Sequence, residues 1–303
     1  MNQKLYNRLA SCDICPRNCH VNRLNNEVGY CGAAKDTVIY SAFGHTGEEP
    51  VISGQNGSGT IFFSGCNLKC VYCQNHIFSH QMKGKSLDTA ALAKTMFKLQ
   101  KENVNNINLV TPTHYLIQIL QALKIAKKNG LNIPIVYNTS GYEKKEIIQQ
   151  LRASVDIYLT DIKYTDTDMA KHFSNASNYP KYCLESVKEM YRQKPTLKLS
   201  GDIAKEGLII RHLVLPNHIQ QSKNVLSWIK ENTPTACVSV MFQYRPYFKA
   251  NQYAQINRSI NESEYEEIKS YTQKLELNGW IQDLTPQEDM AGVYFQENIE
   301  DFL

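Results

Sequence analysis

Seven of the nine cysteines of this chain fall within its first 73 residues, in two tight groups. One is Cys66, Cys70 and Cys73, spaced C-x3-C-x2-C in the string GCNLKCVYCQN. The other is Cys12, Cys15, Cys19 and Cys31, spaced C-x2-C-x3-C-x11-C. Clustered thiols in a reducing compartment read as metal ligands, because a disulfide framework would spread its cysteines along the chain. The four-cysteine group has ligands enough for a closed site, either a structural zinc or a [4Fe–4S] cluster. Pro16 and Gly29 supply its turns, and His20 could replace one thiolate. The three-cysteine group stops one ligand short. Three thiolates hold three irons of a [4Fe–4S] cube and leave one iron open, which marks a reactive site, not a closed one. The alternative is zinc, or a cluster completed by His76 or Cys31. Cys183 and Cys237 stand apart and read as small core residues.

The elements that must position these groups follow a regular rhythm. Six apolar runs read as strands: IFFSG at 61–65, NINLV at 106–110, IPIVYN at 133–138, VDIYLTDIK at 155–163, LIIRHLVLP at 208–216 and ACVSVMFQY at 236–244. Helical patterns separate them. One starts at an Asp88 cap with Leu92, Met96 and Leu99 on one face, and the next ends at Asn129-Gly130. Others lie near 143–151, 179–193, 220–231 and 261–278. Continuous apolar strands alternating with helices predict an α/β fold with a parallel sheet covered on both faces. Six units suit a partial (βα)6 barrel or an open wound sheet. In either, ligands bind at the C-terminal strand ends. The polar residues gather there: the cysteine loop after the first strand, Thr111, Thr113 and His114 after the second, and Asn138, Thr139 and Ser140 after the third. Asp161 and Lys163 end the fourth, Arg211 and His212 lie in the fifth, and Gln243 and Tyr244 end the sixth.

The first ~40 residues are loop-rich, with a short strand expected at 38–42, followed by the connector HTGEEPVISGQNGSG. Two parts are expected: a Cys-rich metal-binding extension over 1–55, and a core over 56–303 ending in a C-terminal helix. The 303 residues carry a net charge of +4, too weak to argue for nucleic acid or a membrane surface. No apolar run approaches the ~20 residues of a membrane span. The N-terminus lacks the apolar core of a secretory signal. A soluble cytoplasmic protein is expected.

C-x3-C-x2-C with an aromatic before the last cysteine resembles the signature of the radical S-adenosylmethionine enzymes. Further strings, CPRNCHVNR…GYCG, HTGEEPVISG, NLVTPTHY, VYNTSGYE, DIYLTDIKY, IIRHLVLP and MFQY, resemble one branch of that superfamily. That branch comprises homologues of the pyruvate formate-lyase activating enzyme. The resemblance implies a partial (βα)6 barrel of that type. It implies that the amino and carboxylate groups of S-adenosylmethionine chelate the open iron. One electron then splits the sulfonium into methionine and a 5′-deoxyadenosyl radical, which abstracts hydrogen from a substrate. It also implies a one-electron reductant such as flavodoxin or ferredoxin.

By the same resemblance, Tyr72 lies beside the adenine, and Asn138 and Ser140 meet the ribose or methionine end. Lys163 and Arg211 suit the methionine carboxylate, which Arg can grip bidentately. Thr111, His114, Asp161 and Gln243 are further cofactor candidates, and His212 reads more simply as a core histidine. Asn138 and Ser140 read equally as helix caps. Glu48 and Glu49, beside His45, read equally as a cover for the site or as a solvated pair. Two departures from glycyl-radical activases stand out. Their G-G-E stretch after the second strand is Thr111-Pro112-Thr113-His114 here, and the extra cysteines precede the three-cysteine loop instead of following it. The expected function is therefore hydrogen abstraction from a substrate such as a peptide or protein. The alternatives are a glycyl-radical activase and a non-catalytic metal-binding or electron-transfer module.

Overall fold

A computed structural model describes residues 3–284. Its strands are β1 Thr37–His45, β2 Ser58–Phe63, β3 Lys85–Leu87, β4 Ile107–Val110, β5 Ile135–Thr139, β6 Ile157–Asp161, β7 Lys198–Ser200, β8 Ile203–Leu213, β9 Cys237–Met241 and β10 Gly279–Ile281. Its helices are α1 Gln3–Tyr6, α2 Pro50–Ser53, α3 His76–Ser79, α4 Thr89–Lys101, α5 Leu116–Lys128, α6 Lys145–Gln149, α7 Thr167–Ser174, α8 Tyr179–Gln193, α9 Ile219–Asn232 and α10 Glu262–Lys274.

One sheet runs in the order β10-β9-β8-β6-β5-β4-β2-β1-β3, with β7 paired to β8 beside it. From β2 through β10 the main path is parallel. β1 joins antiparallel to β2, and β3 antiparallel to β1. The sheet is open between β3 and β10, as a partial barrel requires. Every residue of β2, β4 and β5 is buried. Burial on both faces is what their unbroken apolar runs demand.

The six expected strands correspond to β2, β4, β5, β6, β8 and β9. The first is displaced. β2 starts at Ser58 and ends at Phe63, because Gly65 has left the strand with φ +83°. The helix from Asp88 is α4; Asp88 accepts a bond from the Ala91 N–H at 2.8 Å, and Leu92, Met96 and Leu99 are buried. β1 is longer than the expected 38–42, and α7, β3, β7 and β10 had no counterpart in the sequence pattern. The end of the expected core, beyond residue 284, lies outside the described residues.

Candidate active site

The C-terminal strand ends open on one cleft of about 1000 Å3, mouth included. The loop after β2 contributes Cys66, Cys70, Tyr72 and Cys73. Thr111 follows β4, Asn138 and Thr139 end β5, and Ser140 follows them. Asp161 ends β6, with Lys163 just beyond. Arg211 comes from β8, and Gln243 and Tyr244 follow β9. Thr111 has φ +59°, which a β-branched side chain adopts only under local constraint, at a cost of about 1–3 kcal/mol. Its N–H donates to the Asn138 carbonyl at 2.9 Å, tying the β4 and β5 exits together.

Each of the three cleft thiols has a hydrogen-bond partner. The Leu68 N–H donates to Cys66 Sγ at 3.3 Å. Cys70 Sγ lies 3.0 Å from Ser174 Oγ, and Cys73 Sγ 3.2 Å from Ser79 Oγ. Burial pushes the Cys66 thiol up to about 12 and the Cys73 thiol up to about 11, and raises Cys70 too. Such thiols ionise only when a cation takes the proton's place. The loop itself is held by the end of α7: the Val71 N–H donates to the Phe173 carbonyl at 2.9 Å. Tyr72 is buried, its hydroxyl 2.6 Å from that of Tyr164, which in turn reaches Ser174 at 3.0 Å.

Opposite the thiols lies a charge network. Asp161 accepts from Lys163 Nζ at 2.7 Å and from Arg211 Nε at 2.9 Å. Arg211 also donates to Asn138 Oδ1 at 2.6 Å and to Glu48 Oε2 at 3.2 Å. Glu48 Oε1 accepts from Asn108 Nδ2 at 2.9 Å. Burial alone would raise Asp161, but Lys163 and Arg211 outweigh it and hold the carboxyl below its usual range. Burial raises Glu48 and Glu49 despite Arg211. These two glutamates are therefore not a solvated pair: Glu49 is 8% exposed, and the Glu48 side chain 9%. The connector carrying them packs at the opposite, N-terminal ends of the strands: His45 pairs with Ser58 at the start of β2, and the Asn105 and Asn106 side chains donate to the Ser53 and Ile52 carbonyls, so Glu48 reaches Arg211 from beneath the cleft.

The other four cysteines line a separate small cavity with Arg17, Arg23 and His114. His114 thus stands behind the cysteine loop and does not line the cleft. Its Nε2 meets the Ser64 carbonyl at 2.8 Å, and burial drives its pKa down to about 3. His212 is a satisfied core residue, bonded to the Ile162 carbonyl at 2.7 Å and Ser222 Oγ at 2.9 Å. His76 stacks on Phe248. Cys183 is fully buried and Cys237 half-buried. The structure adds residues that sequence reasoning passed over. Ser174 reaches Cys70 across the fold, and Ser79 reaches Cys73 from six residues along the chain. Glu143, fully buried, accepts from Thr113 at 2.5 Å, Thr139 at 2.7 Å and Tyr137 at 3.2 Å. Burial pushes it up to about 7. The only sequence signal for it was a charge in the TSGYE string directly after a strand.

The sequence model of the radical SAM superfamily matches residues 60–197, from β2 through α8. An uncharacterized protein of Methanocaldococcus jannaschii is 34% identical over 281 residues, covering 90% of this chain and 77% of that one. The chain belongs to the radical SAM superfamily. A pyruvate formate-lyase-activating enzyme of Clostridium pasteurianum is 28% identical over 123 residues, 39% of this chain and 50% of that protein. A radical SAM methyltransferase from Sphaerobacter thermophilus shares the fold, with a TM-score of 0.52 at 12% identity, over 77% of this chain and 68% of that one. Superfamily membership implies a [4Fe–4S] cluster, S-adenosylmethionine and a source of electrons. The cleft fits them in kind: three thiols on one side, Cys70 buried and Cys66 and Cys73 partly exposed, and paired cations on the other. No helix among the described residues is long and apolar enough to cross a membrane.

Proposed function

We propose that the chain is a radical SAM enzyme in which Cys66, Cys70 and Cys73 hold the cluster and the opposite wall of the cleft holds S-adenosylmethionine. The observation that supports this most is the convergence of three thiols and the Lys163–Asp161–Arg211 network on one cleft at the strand ends. Bound there, the cofactor pair supplies reductive cleavage of the sulfonium and hydrogen abstraction from a substrate.

The residues' own tasks follow from their contacts. Ser79, Ser174 and the Leu68 N–H hold the thiolates in place and stabilise their negative charge. Lys163 and Arg211 receive the methionine carboxylate. Asp161 holds both cations in place, accepting from Lys163 Nζ and Arg211 Nε. Asn138, Ser140, Thr111 and Gln243 offer hydrogen bonds to the ribose and methionine ends. Tyr72 supplies an aromatic wall beside the adenine, edge-on to Tyr244 at 5.8 Å. Glu48 and Glu49 close the floor of the cleft from the N-terminal side of the sheet. On this reading residues 1–55 are a metal-binding extension and residues 56–303 the catalytic core.

The substrate class we favour is a peptide or protein segment. The support is the activating-enzyme relative, whose name describes action on another enzyme. A glycyl-radical activase is the narrower version, and a neighbouring gene for such an enzyme would favour it. A non-catalytic electron-transfer module would leave S-adenosylmethionine intact. The test is anaerobic reconstitution of the full chain, followed by EPR of the reduced protein with and without S-adenosylmethionine. A spectrum that shifts, with methionine and 5′-deoxyadenosine formed, supports the proposal. An unshifted spectrum and uncleaved S-adenosylmethionine would sink it.

A further inference from the structure

The cavity of the four N-terminal cysteines abuts the cysteine loop of the cleft. Were Gly65 an alanine, its Cβ would clash with the Cys31 carbonyl oxygen, so the Cys31 backbone presses directly on the residue before Cys66. Arg17 Nε donates to the carbonyl of Asn67, the residue after Cys66, at 2.8 Å. Tyr30 lies under the Arg17 guanidinium at 3.8 Å and within electrostatic reach of Cys66 and Cys70. His114, a wall of the N-terminal cavity, bonds the Ser64 carbonyl. A structural metal could sit anywhere in the chain; this cavity sits back to back with the cleft thiols.

The cavity is built for an anion. Arg23 is 1% exposed, and its nitrogens donate to the carbonyls of Ala34 and His114. Arg17 Nη2 is buried with no hydrogen-bond partner among the described residues. Two guanidiniums bonded to carbonyls beside four thiols leave positive charge to be balanced, and a tetrathiolate centre balances it. The arrangement of the sulfurs bears on which centre. Zinc draws all its thiolates to about 2.3 Å from one point. All four cysteines ring one cavity of about 350 Å3, mouth included. A cubane takes its thiolates one per iron, around a body several ångströms wide. Gly29 makes room for this: a Cβ there would meet Cys19 Sγ at 2.9 Å. The Tyr30 N–H donates to the same sulfur at 3.4 Å.

The site also has two sides. Cys12 and Cys19 are partly exposed, whereas Cys15 and Cys31 are buried, with Cys31 on the Gly65 side. We propose that Cys12, Cys15, Cys19 and Cys31 hold a second [4Fe–4S] cluster, through which electrons enter and pass to the cluster in the cleft. This rests on the reading of the cleft given above. A one-electron protein donor of the flavodoxin or ferredoxin class loses one electron, and the outer cluster goes from 2+ to 1+. The outer cluster then returns to 2+ as the inner goes from 2+ to 1+. No bond breaks and no proton moves in either transfer.

The test uses the full chain, reconstituted anaerobically with iron, sulfide and zinc all present. Wild type should hold about eight irons, and Cys66→Ala/Cys70→Ala/Cys73→Ala about four, with an EPR signal indifferent to S-adenosylmethionine. Cys12→Ser/Cys19→Ser should lose about four of the eight irons. With dithionite it should still give the signal that S-adenosylmethionine shifts, while reduced flavodoxin no longer reduces it. Zinc at the outer site, an iron-free triple variant, or unchanged reduction of the double variant by flavodoxin would each overturn the proposal. If wild type holds only about four irons and its spectrum does respond to S-adenosylmethionine, this proposal fails and the cleft reading stands. If its spectrum does not respond at all, the cleft reading fails and takes the relay with it. Should the double variant prove insoluble, freeze-quenched wild type decides: the outer signal must appear before the inner one.

Discussion

The two cysteine sites share a chemistry and differ in almost everything around it. The cleft site has three thiols, faces a large open volume, and looks across at Lys163, Arg211 and Asp161. The N-terminal site has four thiols, encloses a small cavity, and is walled by Arg17 and Arg23. In the cleft the positive charge is matched by carboxylates; in the N-terminal cavity the guanidiniums donate to carbonyl oxygens and lie over tyrosine rings. A site meant to exchange ligands needs room and a neutral resting state. A site meant to stay closed needs a full set of ligands and a standing countercharge. The number of cysteines and the surrounding charge point the same way in both places.

The largest effect should come from removing a cleft thiol. Cys70→Ala should abolish cleavage of S-adenosylmethionine while the chain stays folded, measured as 5′-deoxyadenosine formed against circular dichroism. Retained cleavage would erase the distinction drawn here between an open and a closed site.

The next effect belongs to a residue between the two sites. Glu143 binds Thr113 and Thr139 near the cleft, and together with burial it raises the Cys15 thiol of the other cavity. Its carboxyl sits at about 7, raised by burial from 4.5. A raised carboxyl favours folding while protonated. Its contribution is complete below about 4.5 and is lost as pH rises through about 7, a swing of about 3 kcal/mol by linkage. Glu143→Gln keeps an acceptor for the threonines and cannot ionise. Urea titrations at pH 5 and pH 8 should show wild type losing more stability than the variant across that window. Equal losses would mean that Glu143 does not titrate there.

How legible this was differs between the two regions as well. Both cysteine groups were plain in the sequence, since metal spacing is local. The six parallel strands were plain too, because strands buried on both faces carry unbroken apolar runs. The contacts that define the cleft were not. Glu48 meets Arg211 across 163 residues, and Ser174 meets Cys70 across 104. No local pattern announces such pairs. α7 offers only Met169, Ala170 and Phe173 as an apolar face, so its short helix escaped a periodicity reading. β2 begins at Ser58-Gly59-Thr60, which looks like a linker and is strand only because β1 and β4 flank it. His114 looked like a cleft residue by its place after a strand, yet the left-handed turn at Thr111 precedes its placement behind the cysteine loop.

A smaller effect tests the cation pair. Lys163→Ala and Arg211→Ala should each weaken binding of S-adenosylmethionine by about tenfold, or about 1.4 kcal/mol, while iron content holds. Calorimetric titration beside an iron assay separates the two. Iron loss with unchanged affinity would move both residues from the cofactor to the protein scaffold.

The smallest effect is also the most specific to the comparison. Ser79 and Ser174 place hydroxyl groups on Cys73 and Cys70. In the other site a backbone N–H, that of Tyr30, donates to Cys19. A hydrogen bond to a thiolate withdraws charge from it and favours the reduced cluster. Ser79→Ala should therefore lower the potential of the cleft cluster, making it harder to reduce, and leave the N-terminal site unmoved. Redox titration followed by EPR, with S-adenosylmethionine added to mark the cleft signal, reads the two centres separately. If the potential does not move, Ser79 only shapes the loop. If both signals move together, the two sites are coupled more tightly than their separate cavities imply.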